Sequence, residues 1–99
     1  LNPMEGLKAA VTRQTLDGKY PNGWIPEQKI TLEEAVRAYT VGSAYAEFQE
    51  QVKGSLTPGM LADLVMLDRD IFAMNPSDLD KVKVALTILN GKLVFEARP

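Results

Sequence analysis

The chain has 99 residues, 45% of them apolar and 24% charged, which is the composition of a globular protein and excludes a disordered one. A formal net charge of −2 offers no broad attraction for nucleic acid or acidic membranes, and no apolar run nears the ~20 residues of a membrane helix. Histidine and cysteine are both absent, so disulfides are excluded, as is a zinc centre built from the usual imidazole and thiolate ligands.

Asn2-Pro3-Met4-Glu5 reads as a helix start. Asn2 caps, Pro3 takes the first helical position where its missing N–H costs nothing, and Glu5 reaches back toward the cap. Met4, Leu7 and Val11 recur at three and four residues, giving one apolar stripe to about Arg13. Gly18, Pro21, Asn22, Gly23 and Pro26 then predict a long loop from Gln14 to Lys29. Thr31-Leu32-Glu33-Glu34 is a capping box, followed by a buried stripe of Leu32, Ala35, Val36 and Tyr39. Thr40 is expected to cap a second short helix over Val41 to Phe48. One continuous helix from Leu32 to Phe48 is the competing reading.

The periodicity changes near Gln51 to Gly54, where a helical front meets a strand-rich back. Asp63 to Leu67 reads as a short strand buried on both faces. Asn75-Pro76-Ser77-Asp78 begins a turn or a single helical turn. Val82, Val84, Leu86 and Ile88 alternate with more polar or smaller neighbours, then Asn90-Gly91 precedes Leu93, Val94 and Phe95. Asn-Gly between two such runs predicts a type I′ hairpin. The implied register sets Leu89 opposite Lys92, Ile88 opposite Leu93, Thr87 opposite Val94 and Leu86 opposite Phe95. Val82, Val84, Leu86, Ile88, Leu93 and Phe95 would then share one face, each contributing roughly 1.5–3 kcal/mol if fully buried.

Together these motifs resemble a known family. Pro26-Glu27-Gln28-Lys29-Ile30-Thr31-Leu32-Glu33-Glu34-Ala35 followed by Ala38-Tyr39-Thr40 resembles the late segment of the amidohydrolase superfamily, and is most similar to its amidohydrolase 3 group. Gly54-Ser55-Leu56-Thr57-Pro58-Gly59, then Ala62 to Asp68, looks like the superfamily's signature after the barrel, with Gly59-Met60-Leu61 departing from the usual Gly-Lys. Val84 to Val94 resembles its closing hairpin. Ala10-Val11-Thr12-Arg13 and Gly23-Trp24-Ile25-Pro26 look like the segments after the last barrel strand. The likeness covers essentially all of the chain.

The resemblance implies a larger parent with a distorted (β/α)8 barrel and a small β-sandwich built from both chain ends. The expected fold class here is therefore α+β. Residues 1–50 would supply helices and a loop from the end of the barrel, and 51–99 the strands of the composite sandwich with its C-terminal hairpin. The family's metal ligands are a His-x-His pair, further histidines, often a lysine, and an aspartate ending the last barrel strand. None of these positions is assignable here. No catalytic, cofactor-binding or metal residue is therefore expected in the chain, while the parent would use zinc or another divalent metal.

Several residues invite functional readings. Asp63 is expected to hydrogen-bond a turn or strand. Asp68, Asp70, Asp78 and Asp80 do not make a calcium loop, because Phe72 and Ala73 fall at the fifth and sixth positions counted from Asp68. Glu33 and Glu34 point about 100° apart on a helix and form no carboxylate dyad. Arg13 and Trp24 are the candidates for site support or a subunit contact. Their plainer roles are a salt bridge or helix C-terminal partner for Arg13 and packing under the Pro-Gly loop for Trp24. Lys81, Lys83 and Lys92 read as the solvated side of the hairpin.

The functional expectation is the C-terminal part of a metal-dependent hydrolase of carbon–nitrogen bonds other than peptide bonds. The metal would activate water and polarise the carbonyl, with an aspartate handling the proton. With neither histidine nor cysteine and opening on Leu1, the chain is expected to be a severed supporting piece, inactive by itself. The rival readings are part of a regulatory or binding protein on the same scaffold, and a standalone interaction module. The partners expected are a small-molecule substrate for the parent, with no nucleic acid and no membrane. A cytoplasmic location is the default. Severing leaves the Met4–Leu7–Val11 and Leu32–Val36–Tyr39 stripes without barrel strands, so they are expected to pack together or to drive self-association.

Overall fold

The computed structural model of the chain describes residues 2–17 and 19–98. The fold is α+β, with short helices and one three-stranded antiparallel sheet. Two compact units interleave along the chain. One runs to Val36 and resumes over Arg69–Val82, and the other comprises Arg37–Asp68 and the chain from Lys83 onward.

In the first unit, helix α1 spans Pro3–Thr12, and the Asn2 side chain accepts the Met4 N–H at 3.0 Å, as its sequence predicts. The buried face is Met4, Leu7, Lys8 and Thr12, with Val11 only half-buried. The predicted stripe is thus rotated, for two reasons. The Lys8 stem lies inward with its ammonium 3.3 Å from Asp80, and the Thr12 hydroxyl donates to the Lys8 carbonyl at 2.7 Å. Helix α1 packs on a 3-10 helix over Pro76–Lys81, whose Leu79 is wholly buried. That helix is capped by Asn75 and is longer than the single turn anticipated. The Met4–Leu7 stripe therefore has a partner within its own unit.

The capping box forms as read: Thr31 N–H donates to Glu34 Oε1 at 2.9 Å, and Glu34 N–H donates to Thr31 Oγ1 at 3.0 Å. Helix α2 occupies Leu32–Arg37, Ala38–Gly42 forms a π turn, and α3 occupies Ser43–Ala46. Thr40 lies inside the π turn rather than ahead of a new helix, because Arg37, Gly42 and Ser43 all keep right-handed helical dihedrals. The second stripe is also corrected. Ala35 is buried, Leu32 and Val36 are half-buried and Tyr39 is exposed.

In the second unit the strands are β1 (Leu64–Leu67), β2 (Val84–Leu89) and β3 (Lys92–Glu96), in the order β1-β2-β3. The Asn90-Gly91 turn has positive φ at both residues, and the first two predicted pairs, Leu89 with Lys92 and Ile88 with Leu93, are present. A bulge then leaves Val94 without an opposite residue, so Phe95 faces Thr87 and Glu96 faces Leu86. This overturns the predicted Thr87–Val94 and Leu86–Phe95 pairs and moves Phe95 off the face of Leu93, since opposite residues share a face. Burial differs too. Val65 and Met66 of β1 are exposed, as is every residue of β3. Among the described residues, Ala44 is the one buried apolar residue of this unit.

Candidate functional site

The two residues singled out from the sequence, Arg13 and Trp24, lie against each other. Arg13 ends α1 in the left-handed conformation, φ 58°, its N–H donating to Ala9 in a standard C-terminal cap. Its carbonyl accepts the Trp24 N–H at 2.8 Å, and its Nε donates to the Trp24 carbonyl at 2.9 Å. The guanidinium carbon lies over the indole, 5.4 Å from the ring centroid, a cation–π arrangement. Among the described residues Arg13 makes no salt bridge, and Trp24 is 54% exposed rather than packed under the loop. The pair therefore closes the loop by two main-chain-anchored hydrogen bonds and presents an aromatic surface beside two guanidinium –NH2 groups that make no hydrogen bond among those residues.

The residues between them are held tightly. Gly23, at φ 89°, lies so close to the Thr12 carbonyl that a Cβ there would collide with it. Gln14 Nε2 donates to the Pro21 carbonyl at 2.6 Å, and Ile30 N–H donates to the Ala10 carbonyl at 3.2 Å. Ile25 has φ 51° and ψ 68°, a left-handed conformation costly for a β-branched residue directly ahead of a proline. Its sequence carries no signal for this, because a Gly or Asn is what ordinarily announces positive φ.

The carboxylates serve the backbone. Asp63 Oδ1 accepts the Asn90 N–H at 2.7 Å, and Asp68 Oδ1 accepts the Lys83 N–H at 3.0 Å. The two aspartates flanking β1 thus clamp the two ends of β2. Asp70 and Asn75 each bind an N–H two residues ahead. Glu34 is held below its ordinary value by the Thr31 N–H and hydroxyl, and Asp17 is lowered by the Thr15 hydroxyl and the Lys19 N–H. Lys81, Lys83 and Lys92 are all exposed, but Lys81 ends the 3-10 helix rather than belonging to the hairpin and pairs with Asp78 at 3.1 Å.

This arrangement does not fit a catalytic metal. The chain has no imidazole or thiolate, and among the described residues no three carboxylates gather as a ligand set. Nor, among those residues, is any helix long and apolar enough to cross a membrane.

The chain belongs to the amidohydrolase family, which its residues 1–95 match. It is 33% identical over 95 residues to the N-substituted formamide deformylase of Arthrobacter pascens, covering 96% of this chain and 17% of that protein. It is likewise 33% identical over 95 residues to the Arabidopsis thaliana protein LONG AFTER FAR-RED 3, covering 96% of this chain and 16% of that one. With YtcJ of Bacillus subtilis, named as an amidohydrolase, identity is 29% over 96 residues, 97% of this chain and 18% of the relative. The chain therefore spans less than a fifth of the length of these curated relatives. No solved structure matches it.

Proposed function

We propose that this chain is the C-terminal supporting segment of a metal-dependent hydrolase that cleaves non-peptide carbon–nitrogen bonds. Family membership over residues 1–95 carries the reading, together with a relative whose name specifies removal of a formyl group from an N-substituted formamide. On this reading residues 1–50 close the barrel and 51–99 supply strands to a composite sandwich. The metal, zinc or another divalent ion, is held by residues outside the chain, because the donors present here do not suit it. Arg13 and Trp24 support the site or a subunit contact by fixing the loop after α1. The setting proposed is the cytoplasm, with a small-molecule substrate and neither nucleic acid nor membrane as partner.

The uncovered sheet supports the idea of a larger protein. Its apolar residues on both faces and at β3 remain exposed, and patches of that kind ordinarily meet another surface. The chain alone is therefore expected to self-associate.

The second reading, a regulatory or binding protein on the same scaffold, draws on LONG AFTER FAR-RED 3, whose name mentions no reaction. One experiment separates the two. The full-length protein is purified, its divalent metal is measured by elemental analysis, and release of formate from N-substituted formamides is followed. Stoichiometric metal with turnover supports the hydrolase, whereas a metal-free full-length protein without turnover overturns it. The 99-residue chain, measured alongside, should bind no stoichiometric zinc, cleave no amide and sediment faster as its concentration rises.

A further inference from the structure

The chain contains two Asn-Gly pairs, Asn22-Gly23 and Asn90-Gly91, and both asparagines are exposed. Asn-Gly is the dipeptide most open to spontaneous deamidation, because glycine leaves its own backbone nitrogen unobstructed. The deprotonated nitrogen attacks the asparagine Cγ, a new C–N bond closes a succinimide ring, and the side-chain nitrogen leaves as ammonia. Water then opens the ring at either carbonyl, yielding aspartate or isoaspartate. Water is the only co-reactant, and no electron is gained or lost.

The two pairs have the same chemistry in different settings. At Gly23 the backbone is pressed against the Thr12 carbonyl, its N–H donates to Tyr20 at 2.9 Å, and the next residue is tied to Arg13 on both sides of its peptide. The nitrogen that would have to attack is engaged by Tyr20, and the chain on either side of it is pinned by these contacts. At Gly91 a Cβ would meet nothing within 4 Å. That turn is restrained by two hydrogen bonds, Asn90 N–H to Asp63 Oδ1 at 2.7 Å and Gly91 N–H to the Ala62 carbonyl at 3.0 Å. The second occupies the nitrogen that must attack, and the first places a carboxylate beside the asparagine and disfavours deprotonation there.

We propose that Asn90 is a spontaneous deamidation site gated by the Asp63–Asn90 and Ala62–Gly91 hydrogen bonds, whereas Asn22 is protected by its packing. The modification feeds back on the turn that gates it. An aspartate at position 90 sets a second carboxylate near Asp63, and an isoaspartate adds a methylene to the backbone of a two-residue turn. Either product loosens the closure of β2 on β3.

The test is to incubate the native protein at mildly alkaline pH, digest it, and measure aspartate and isoaspartate at both positions by mass spectrometry. In denaturant the two sites should react at similar rates. In the native state Asn90 should outpace Asn22, and Asp63→Ala should accelerate Asn90 by about fivefold, the factor matching one hydrogen bond's net worth, with Asn22 unchanged. Asn22 reacting as fast as Asn90 in the native protein overturns the proposal. So does an Asp63→Ala variant whose Asn90 rate does not rise. If both sites accelerate alike, the variant has unfolded and the native ratio alone decides.

Discussion

Arg13 and Trp24 exchange hydrogen bonds through each other's carbonyls while the guanidinium covers the indole at 5.4 Å. The Trp24 N–H bond to the Arg13 carbonyl survives any side-chain change at either position. The Nε bond requires Arg13, and the stacking requires both side chains. Arg13→Ala is expected to cost about 1–2 kcal/mol, from one hydrogen bond and one exposed cation–π contact. Trp24→Ala loses the stacking and its share of apolar burial. In a double-mutant cycle by urea unfolding, the coupling between the two should be about 0.5–1 kcal/mol. A coupling of zero would show that the observed stacking contributes nothing.

Gly23 and Gly59 offer a matched comparison, with φ of 89° and 94°. At Gly59 a Cβ would meet nothing within 4 Å, while at Gly23 it would strike the Thr12 carbonyl. Gly59→Ala therefore carries only the conformational penalty, about 1 kcal/mol. Gly23→Ala carries that penalty and must also displace backbone, so about 3 kcal/mol is expected. The difference in thermal stability between the two variants reads the close approach directly.

What was legible in these residues was local. Asn2 and the Thr31–Glu34 box each form from a few adjacent residues whose hydrogen bonds close within three positions, and the Asn90-Gly91 turn follows from the positive φ that those two residue types accept. What escaped was long-range or collective. Lys8 reads as a solvated helix residue until Asp80, distant in sequence, makes its burial tolerable. Alternation in β3 predicts faces correctly only while the ladder is regular, and one bulge at Val94 reverses Phe95. The family resemblance was legible because its motifs are contiguous. The nearness of Arg13 to Trp24 was not, since no spacing rule links a helix end to a loop eleven residues on.

The capping box should make part of the α2 signal pH-dependent. Glu34 is depressed in the folded chain by the Thr31 N–H and hydroxyl. A group with a lowered folded value contributes stability fully above its unfolded value, about 4.3 for glutamate. That contribution is lost as pH falls through the folded value. Far-ultraviolet circular dichroism of the protein should therefore lose helical signal on acidification below about 4.3. Glu34→Gln, which keeps an acceptor without a titrating charge, should flatten that component. An unchanged acid profile in Glu34→Gln would assign the transition to other carboxylates.

Lys8 and Asp80 are unequal partners, with side-chain exposures of 11% and 27%. If Asp80 is truncated, the Lys8 ammonium stays largely buried and must find water. If Lys8 becomes methionine, the stem still fills its buried place on α1, and the more open Asp80 rehydrates. Asp80→Ala is accordingly expected to cost about 2 kcal/mol and Lys8→Met under about 1 kcal/mol, both discounted for solvent screening of the exposed acid. Lys8→Ala should fall between them, since it removes the stem's packing but also the charge. Urea midpoints for the three variants give the order. Were Lys8→Met the most damaging, the ion pair itself, rather than the stem's packing, would be holding α1 against the Pro76–Lys81 helix.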